Sequence, residues 1–410
     1  MGPRRAPEPS AIHADVPPGT IVLSSGKGSN VSDVDGNRYV DLAAGFGALL
    51  LGHSHEAVLR ALELQGPRLL QALGDVYPSD AKVGLLERIA ELHPAPDAQV
   101  IVAQSGSDAV SAALKTAALY TGRPGVVAFE GSYHGLGYGP LAVSGLRASY
   151  REPFREQLNP EITFAPYPTS TSELDASLAA VRTALANGRV GAILVEPILG
   201  RGGVIVPPPG FLRSLEALAH EHDALFVADE IWTGLGRSGA WLRSVEDGTT
   251  PDLVCLGKGL GGGLPISACL GRAEVMSTWS REAEVVHTST FSAAPLACAA
   301  ALATLDVLSR HGLVDRAARE GEHFRALLEQ ATDKTAVREV RGRGFMLGLD
   351  VSALPGGAPR LQRALLEAGY VTSSGGGSRD VLVLTPPLGT SRALLEAFAD
   401  ALRKALAALA

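Results

Sequence analysis

Two stretches confine the fold of this chain more than any others: Val227-Ala-Asp-Glu-Ile-Trp-Thr-Gly-Leu-Gly-Arg-Ser-Gly239 and Leu256-Gly-Lys-Gly-Leu-Gly-Gly-Gly-Leu-Pro265. An apolar run from Ala224 to Ala228 ends on Asp229 and Glu230, and a second, from Asp252 to Leu256, ends at Lys258 inside a glycine-rich turn. Short apolar runs closed by glycine and charge read as strands buried on both faces. Val100–Gln104, Val126–Phe129 and Val190–Val195 have the same character, and Phe211–His222 has the spacing of an amphipathic helix. This alternation, from residue 100 to 270, describes a doubly wound, mostly parallel α/β sheet. Ligands of such sheets lie beyond the carboxyl ends of the strands. Glu196, Asp229 and Lys258 each follow a strand, so they are expected at one rim.

Taken singly, these residues say little. An aspartate after a strand is ordinarily a turn residue or cap, and a lysine among glycines is ordinarily solvated. Gly257 to Gly262 also fits GxGxxG, but Pro265 and the apolar run Ile266–Leu270 predict another strand where a dinucleotide site needs a helix. Together, an acid and an amine over one ligand suit pyridoxal phosphate: the amine holds the aldehyde, and the carboxylate keeps the pyridine nitrogen protonated.

Here the chain resembles a family. Asp229, Thr233, Gly234, Gly236, Arg237 and Gly239, with Lys258 in a GKG-x-GGG-x-P segment, match the signature of the class III (omega-type) pyridoxal-phosphate-dependent aminotransferases. The resemblance runs through nearly the whole chain. It implies a fold-type I enzyme: a large domain (51–299) with the mostly parallel sheet, a small α+β domain from both chain ends (21–50 and 300–410), and an N-terminal arm (1–20). It also implies a cytoplasmic homodimer with shared active sites, moving an amino group from an amine or amino acid to a carbonyl acceptor through a Lys258 Schiff base. Asp229 would face the pyridine nitrogen, Tyr133 would stack on the ring, and Gly106 and Ser107, opening a helix after Gln104, would grip the phosphate. Thr290 would reach the neighbouring subunit's phosphate. The signature also fits racemases or epimerases of this fold, which Ser105–Ala109 and Thr385–Leu388 resemble, and a non-catalytic binding relative, for which Lys258 and Asp229 would be superfluous.

Composition narrows the remainder. With 410 residues, 46% hydrophobic, and a net charge of -7, the chain has length for a large core and no general attraction to nucleic acid or anionic membrane. No apolar run has the length of a membrane span. Met1–Pro18 carries arginine and proline without an apolar segment and reads as an arm, not a secretory signal. Cys255, Cys269 and Cys298 stand in apolar surroundings and read as buried small hydrophobes. Val31–Asp41 predicts a hairpin turning at Asp35-Gly36, Gly45–Gly52 an apolar loop, and Ser373–Ser378 a flexible loop. His53 and His55 lack a third ligand nearby, so a structural role is expected and no metal.

The departures from the family fall around the substrate. Leu136 stands where aminobutyrate-type members have an arginine, and Val383 aligns with a second arginine, in the C-terminal lobe. Arg201 stands where relatives usually have an acid, and Trp232 where many have a glutamine. A carboxylate without a charged partner costs several kcal/mol to bury. Either Arg201 binds it from a new direction, or the substrate has no carboxylate near the reacting carbon and Glu196 holds a distal amine, or Arg201 is a surface residue of a glycine-rich loop paired with Glu196. Leu136, Val383 and Phe46 predict an apolar pocket, which favours an amine or ω-amino donor.

Overall fold

A computed structural model describes residues 21–74, 76–280 and 285–409; the expected arm at 1–20 lies outside the described residues. Seven strands form the central sheet: β1 (Gln99–Ala103), β2 (Gly125–Phe129), β3 (Ile162–Ala165), β4 (Val190–Val195), β5 (Leu225–Asp229), β6 (Leu253–Leu256) and β7 (Ser267–Gly271). Their order is β1-β7-β6-β5-β4-β2-β3. β7 runs antiparallel to both neighbours, and the other pairings are parallel.

Every residue of β2, β4, β5 and β6 is buried, because alternate side chains serve two separate cores. Val127, Phe129, Ile193, Val195 and Phe226 pack with the helices Thr171–Leu185 and Phe211–Glu221. Val126, Ala128, Ala192, Leu194 and Val227 pack with the helix Gly106–Thr121. The period of two along each strand thus places helices on both faces, the doubly wound α/β arrangement expected.

Two smaller sheets flank it. Leu23–Lys27, Asn30–Asp33 and Arg38–Asp41 form one, joined by Tyr370–Val371, so both ends of the chain share a sheet. The expected hairpin is present. Gly36 takes φ +86°, and Asp33 Oδ1 accepts from the amides of Asp35 and Asn37. Glu339–Arg343, Met346–Asp350, Val381–Leu384 and Ser373–Gly375 form the other. The last strand corrects the flexible loop expected over Ser373–Ser378. Ser373 pairs with Val383 and Gly375 with Val381, and a Cβ on Gly375 would stand 3.0 Å from Val383 Cγ2 and 3.3 Å from the Arg201 carbonyl oxygen. Small residues are there for close approach, not for freedom.

Between the first small sheet and the central one, Ala44, Gly45, Phe46 and Gly47 all take positive φ (45°, 60°, 57° and 82°). This left-handed turn costs about 1–2 kcal/mol at each non-glycine. Asp41 Oδ1 holds it by accepting from the amides of Ala43 and Ala44, and Thr385 Oγ1 donates to the Ala43 carbonyl. His53 Nε2 lies 2.7 Å from Asp41 Oδ2, and His55 Nδ1 accepts the Ala57 amide at a helix start. All three cysteines are free and buried. Among the described residues no single helix is long and apolar enough to cross a membrane.

Candidate active site

The carboxyl ends of β1, β2, β4, β5 and β6 deliver their side chains to one rim. Asp229 ends β5 and is 4% exposed. Its Oδ1 accepts the Ile231 amide at 3.1 Å, and its Oδ2 lies 2.6 Å from Nδ1 of His134, in the turn after β2. His134 Nε2 is buried with no partner. Glu196 follows β4; its two oxygens accept the amides of Tyr133 (2.8 Å) and Gly200 (2.9 Å). Burial pushes its carboxyl up to about 7.

Lys258 begins the short turn Lys258–Gly261 after β6, with φ +37°. Strand β7 follows that turn, as the failure of the GxGxxG reading requires. Burial pushes the Lys258 amine down to about 8, although Asp229 and Glu196 oppose the shift. The neutral, nucleophilic form is therefore reached at a lower pH than in an ordinary lysine. The ammonium lies 4.4 Å from the centre of the Trp232 ring.

The helix Gly106–Thr121 opens beside these residues. Its N-cap, Ser105, accepts the Asp108 amide, while the first amides, of Gly106 and Ser107, have no acceptor within the helix. A Cβ on Gly106 would stand 2.9 Å from Ile231 Cδ1, and one on Gly257 would stand 3.6 Å from Gly106 Cα. Glycine at both places thus lets the helix end, the Asp229 turn and the Lys258 turn meet. Ser107 Oγ accepts the Gly137 amide at 3.1 Å, tying the Tyr133–Gly137 turn to the same helix. The Asp108 carboxylate is occupied: its Oδ2 accepts the Gln104 amide and its Oδ1 lies 3.4 Å from His287 Nε2.

Glu230 turns away from the rim. Its carboxylate accepts from Ser244 and Thr233 and so braces the Thr233–Gly239 turn. Arg237, 1% exposed, donates to the carbonyls of Phe345 (3.0 Å) and Pro386 (2.5 Å), and burial pushes it down to about 9. It ties the central sheet to the C-terminal one.

The residues expected around the substrate and at the neighbouring subunit are less uniform. Leu136 and Phe46 are 54% and 65% exposed. Val383 is fully enclosed, in one buried apolar cluster with Ile198, Val204, Trp232, Met346 and Val381. Arg201 is exposed, with its guanidinium 4.8 Å from the centre of the Tyr133 ring. Thr290 is exposed too, and its carbonyl accepts from Gln71 Nε2. Reading the sequence assigned no role to His134, although a polar residue between glycines at a buried strand's end was the available signal.

An anion cradle of free amides, an aromatic ring, a buried carboxylate and a depressed lysine amine together fit pyridoxal phosphate. The comparisons agree. The model of the class III aminotransferase family matches residues 11–406. The acetylornithine aminotransferase of Mycobacterium tuberculosis is 38% identical over 389 residues, 93% of this chain and 90% of that one. Among solved structures, the ornithine aminotransferase of Toxoplasma gondii, seen with partial occupancy of pyridoxal phosphate at its active site, superposes with a TM-score of 0.86 at 32% identity, covering 95% of this chain and 90% of that one. An amine transaminase from an uncultivated Pseudomonas species, in its pyridoxal-phosphate-bound form, gives 0.88 at 29% identity, with 99% and 98% covered. The chain therefore belongs to the class III aminotransferases, enzymes of fold type I that move amino groups with pyridoxal phosphate.

Proposed function

We propose that Lys258 carries the cofactor as a Schiff base and is the proton carrier of this transaminase. The supporting observation is the depressed amine of Lys258 at the same rim as a buried carboxylate, Asp229, held by His134. Bound there, pyridoxal phosphate supplies an aldehyde that condenses with amines and a ring that accepts the electron pair left when a proton departs. With the cofactor bound, the Lys258 amine, once freed by an incoming amine, would take the proton from the carbon bearing nitrogen and then give it back, as general base and general acid. Asp229 keeps the ring nitrogen protonated, and His134 fixes the direction of that carboxylate. Tyr133 would cover the ring face, and the amides of Gly106 and Ser107 would take the phosphate.

The donor is an amine or amino acid and the acceptor a carbonyl compound. Relatives named for acetylornithine and ornithine, with the apolar Leu136 and Phe46 beside this site, support an ω-amino donor. The working form is a homodimer in which Thr290 completes the neighbour's phosphate cradle. Leu70, Leu73, Val76, Tyr77 and Phe291, each more than 60% exposed, form the kind of apolar surface a second copy would cover. Membership of the central sheet on one side and of the two smaller sheets on the other supports a division into 51–299 and a small domain from 21–50 and 300–410. Three free cysteines suit a cytoplasmic setting.

A panel of amines and amino acids, with carbonyl product and enantiomer composition followed separately, tests the reaction. Net transfer with matching carbonyl release is expected. Loss of enantiomeric purity without carbonyl release would establish the racemase instead.

A further inference from the structure

The loop after Glu196 carries an exposed cation, Arg201. Among the described residues no carboxylate is paired with Arg201, and its one side-chain contact of note is the Tyr133 ring, 4.8 Å from the guanidinium carbon. Glu196, the obvious partner, has both oxygens engaged by the amides of Tyr133 and Gly200. The backbone of Arg201 is fixed from behind. Its carbonyl accepts the Gly376 amide at 2.8 Å, and two residues on, the Gly203 carbonyl accepts Arg341 Nε at 2.9 Å. A guanidinium resting on a ring keeps its in-plane N–H donors free for a planar anion. The positive charge is also felt at Lys258, where it adds to the lowering of the amine.

The Trp232 ring, 4.4 Å from the Lys258 amine, carries no charge. It packs with Ile198, Val204, Met346, Val381 and Val383 in one buried apolar cluster. A carboxylate brought to Lys258 therefore finds only an apolar ring in Trp232, whereas the guanidinium over Tyr133 has no carboxylate partner among the described residues. On these grounds we propose that Arg201 anchors the carboxylate of the substrate and sets specificity for amino acids and oxo acids over simple amines. This rests on the transaminase reading for its substrate class, though not for the binding of the anion. It departs from the apolar-donor expectation, because the enclosure of Val383 removes one wall of the pocket on which that expectation stood.

Three donors and one inert ligand test the proposal. L-norvaline and 5-aminopentanoate both differ from butylamine by one carboxylate, at the reacting carbon or at the far end of the chain. Their kcat/KM relative to butylamine should fall roughly tenfold to a hundredfold, through KM, in Arg201→Gln for at least one of the two, the size expected for a charge-assisted hydrogen bond. Arg201→Lys should recover part of the loss, since charge is kept but the planar fork is not. Calorimetric titration of the holoenzyme with glutarate, which cannot react, should show binding that weakens by a similar factor in Arg201→Gln. Ratios within twofold of wild type for both acids, with glutarate binding unchanged, overturn the assignment. A wild-type protein that transfers no amino group yet binds glutarate through Arg201 would sink the transaminase reading and leave this one standing.

Discussion

The Lys258 amine lies 4.4 Å from the centre of the Trp232 ring, and Trp232 is itself wedged between two glycines from distant parts of the chain. A Cβ on Gly47 would clash with Trp232 Nε1, and one on Gly200 with Trp232 Cε3. The indole N–H is enclosed without a hydrogen-bond partner.

Trp232 therefore acts as a wall, not as a proton donor within the protein. Trp232→Phe keeps an aromatic face under the amine and removes an unsatisfied donor whose burial costs about 1–3 kcal/mol. Its kcat should fall less than about tenfold, since no strong transition-state contact is lost. Asp229→Asn, which removes the charge opposite the ring nitrogen, should cost about a thousandfold or more. Steady-state kinetics of the two variants decide this, and equal losses would mean that Trp232 takes a direct part in the chemistry.

The slot itself can be tested by coupling. Gly200→Ala should lower stability by about 1–3 kcal/mol through overpacking. In a Trp232→Leu background the same change should cost much less, because the atoms it meets are gone. Additive losses in a double-mutant cycle, read by urea unfolding, would place the strain elsewhere.

This slot also shows where reading the sequence stops. The strands of the central sheet were legible because they are apolar runs, most of them closed by charge or glycine, and Val126–Phe129 and Val190–Val195 end where expected. Lys258 and Asp229 were legible because their glycine-rich surroundings form a long motif. The strand Ser373–Gly375 was not: its serines and glycines carry no apolar alternation, and only the approach of Arg201 and Val383 explains them. Nor was the place of Val383, since whether an apolar residue lines a pocket or seals a wall depends on what stands in front of it. Gly47, Gly200 and Trp232 meet only in three dimensions.

A pH dependence follows from Glu196. Its folded carboxyl titrates near 7 instead of the ordinary 4.5, so between those values the folded state holds more proton than the unfolded one. That contribution to stability is fully present below about 4.5 and is lost as pH rises through about 7. The apoenzyme of Glu196→Gln should lack this loss. Urea midpoints at pH 5 and pH 7.5 should therefore differ between the wild type and the variant in that direction, and identical shifts would contradict the raised carboxyl.

Assembly should be linked to the cofactor. If Thr290 closes the neighbour's phosphate cradle, binding that needs the dimer also stabilises it. Sedimentation should show a dimer that loosens when pyridoxal phosphate is removed, and Phe291→Asp, at a residue 67% exposed in the single chain, should weaken it further. A fully active monomer would exclude shared sites.

The most direct measurement concerns Lys258 itself. Borohydride reduction of the yellow holoenzyme, followed by peptide mapping, should place a pyridoxyl group on the peptide containing Lys258 and on no other. Lys258→Ala should still bind cofactor, released on denaturation, and should lose turnover by several orders of magnitude. A label on a different lysine, or near wild-type turnover in that variant, would contradict the account at its centre.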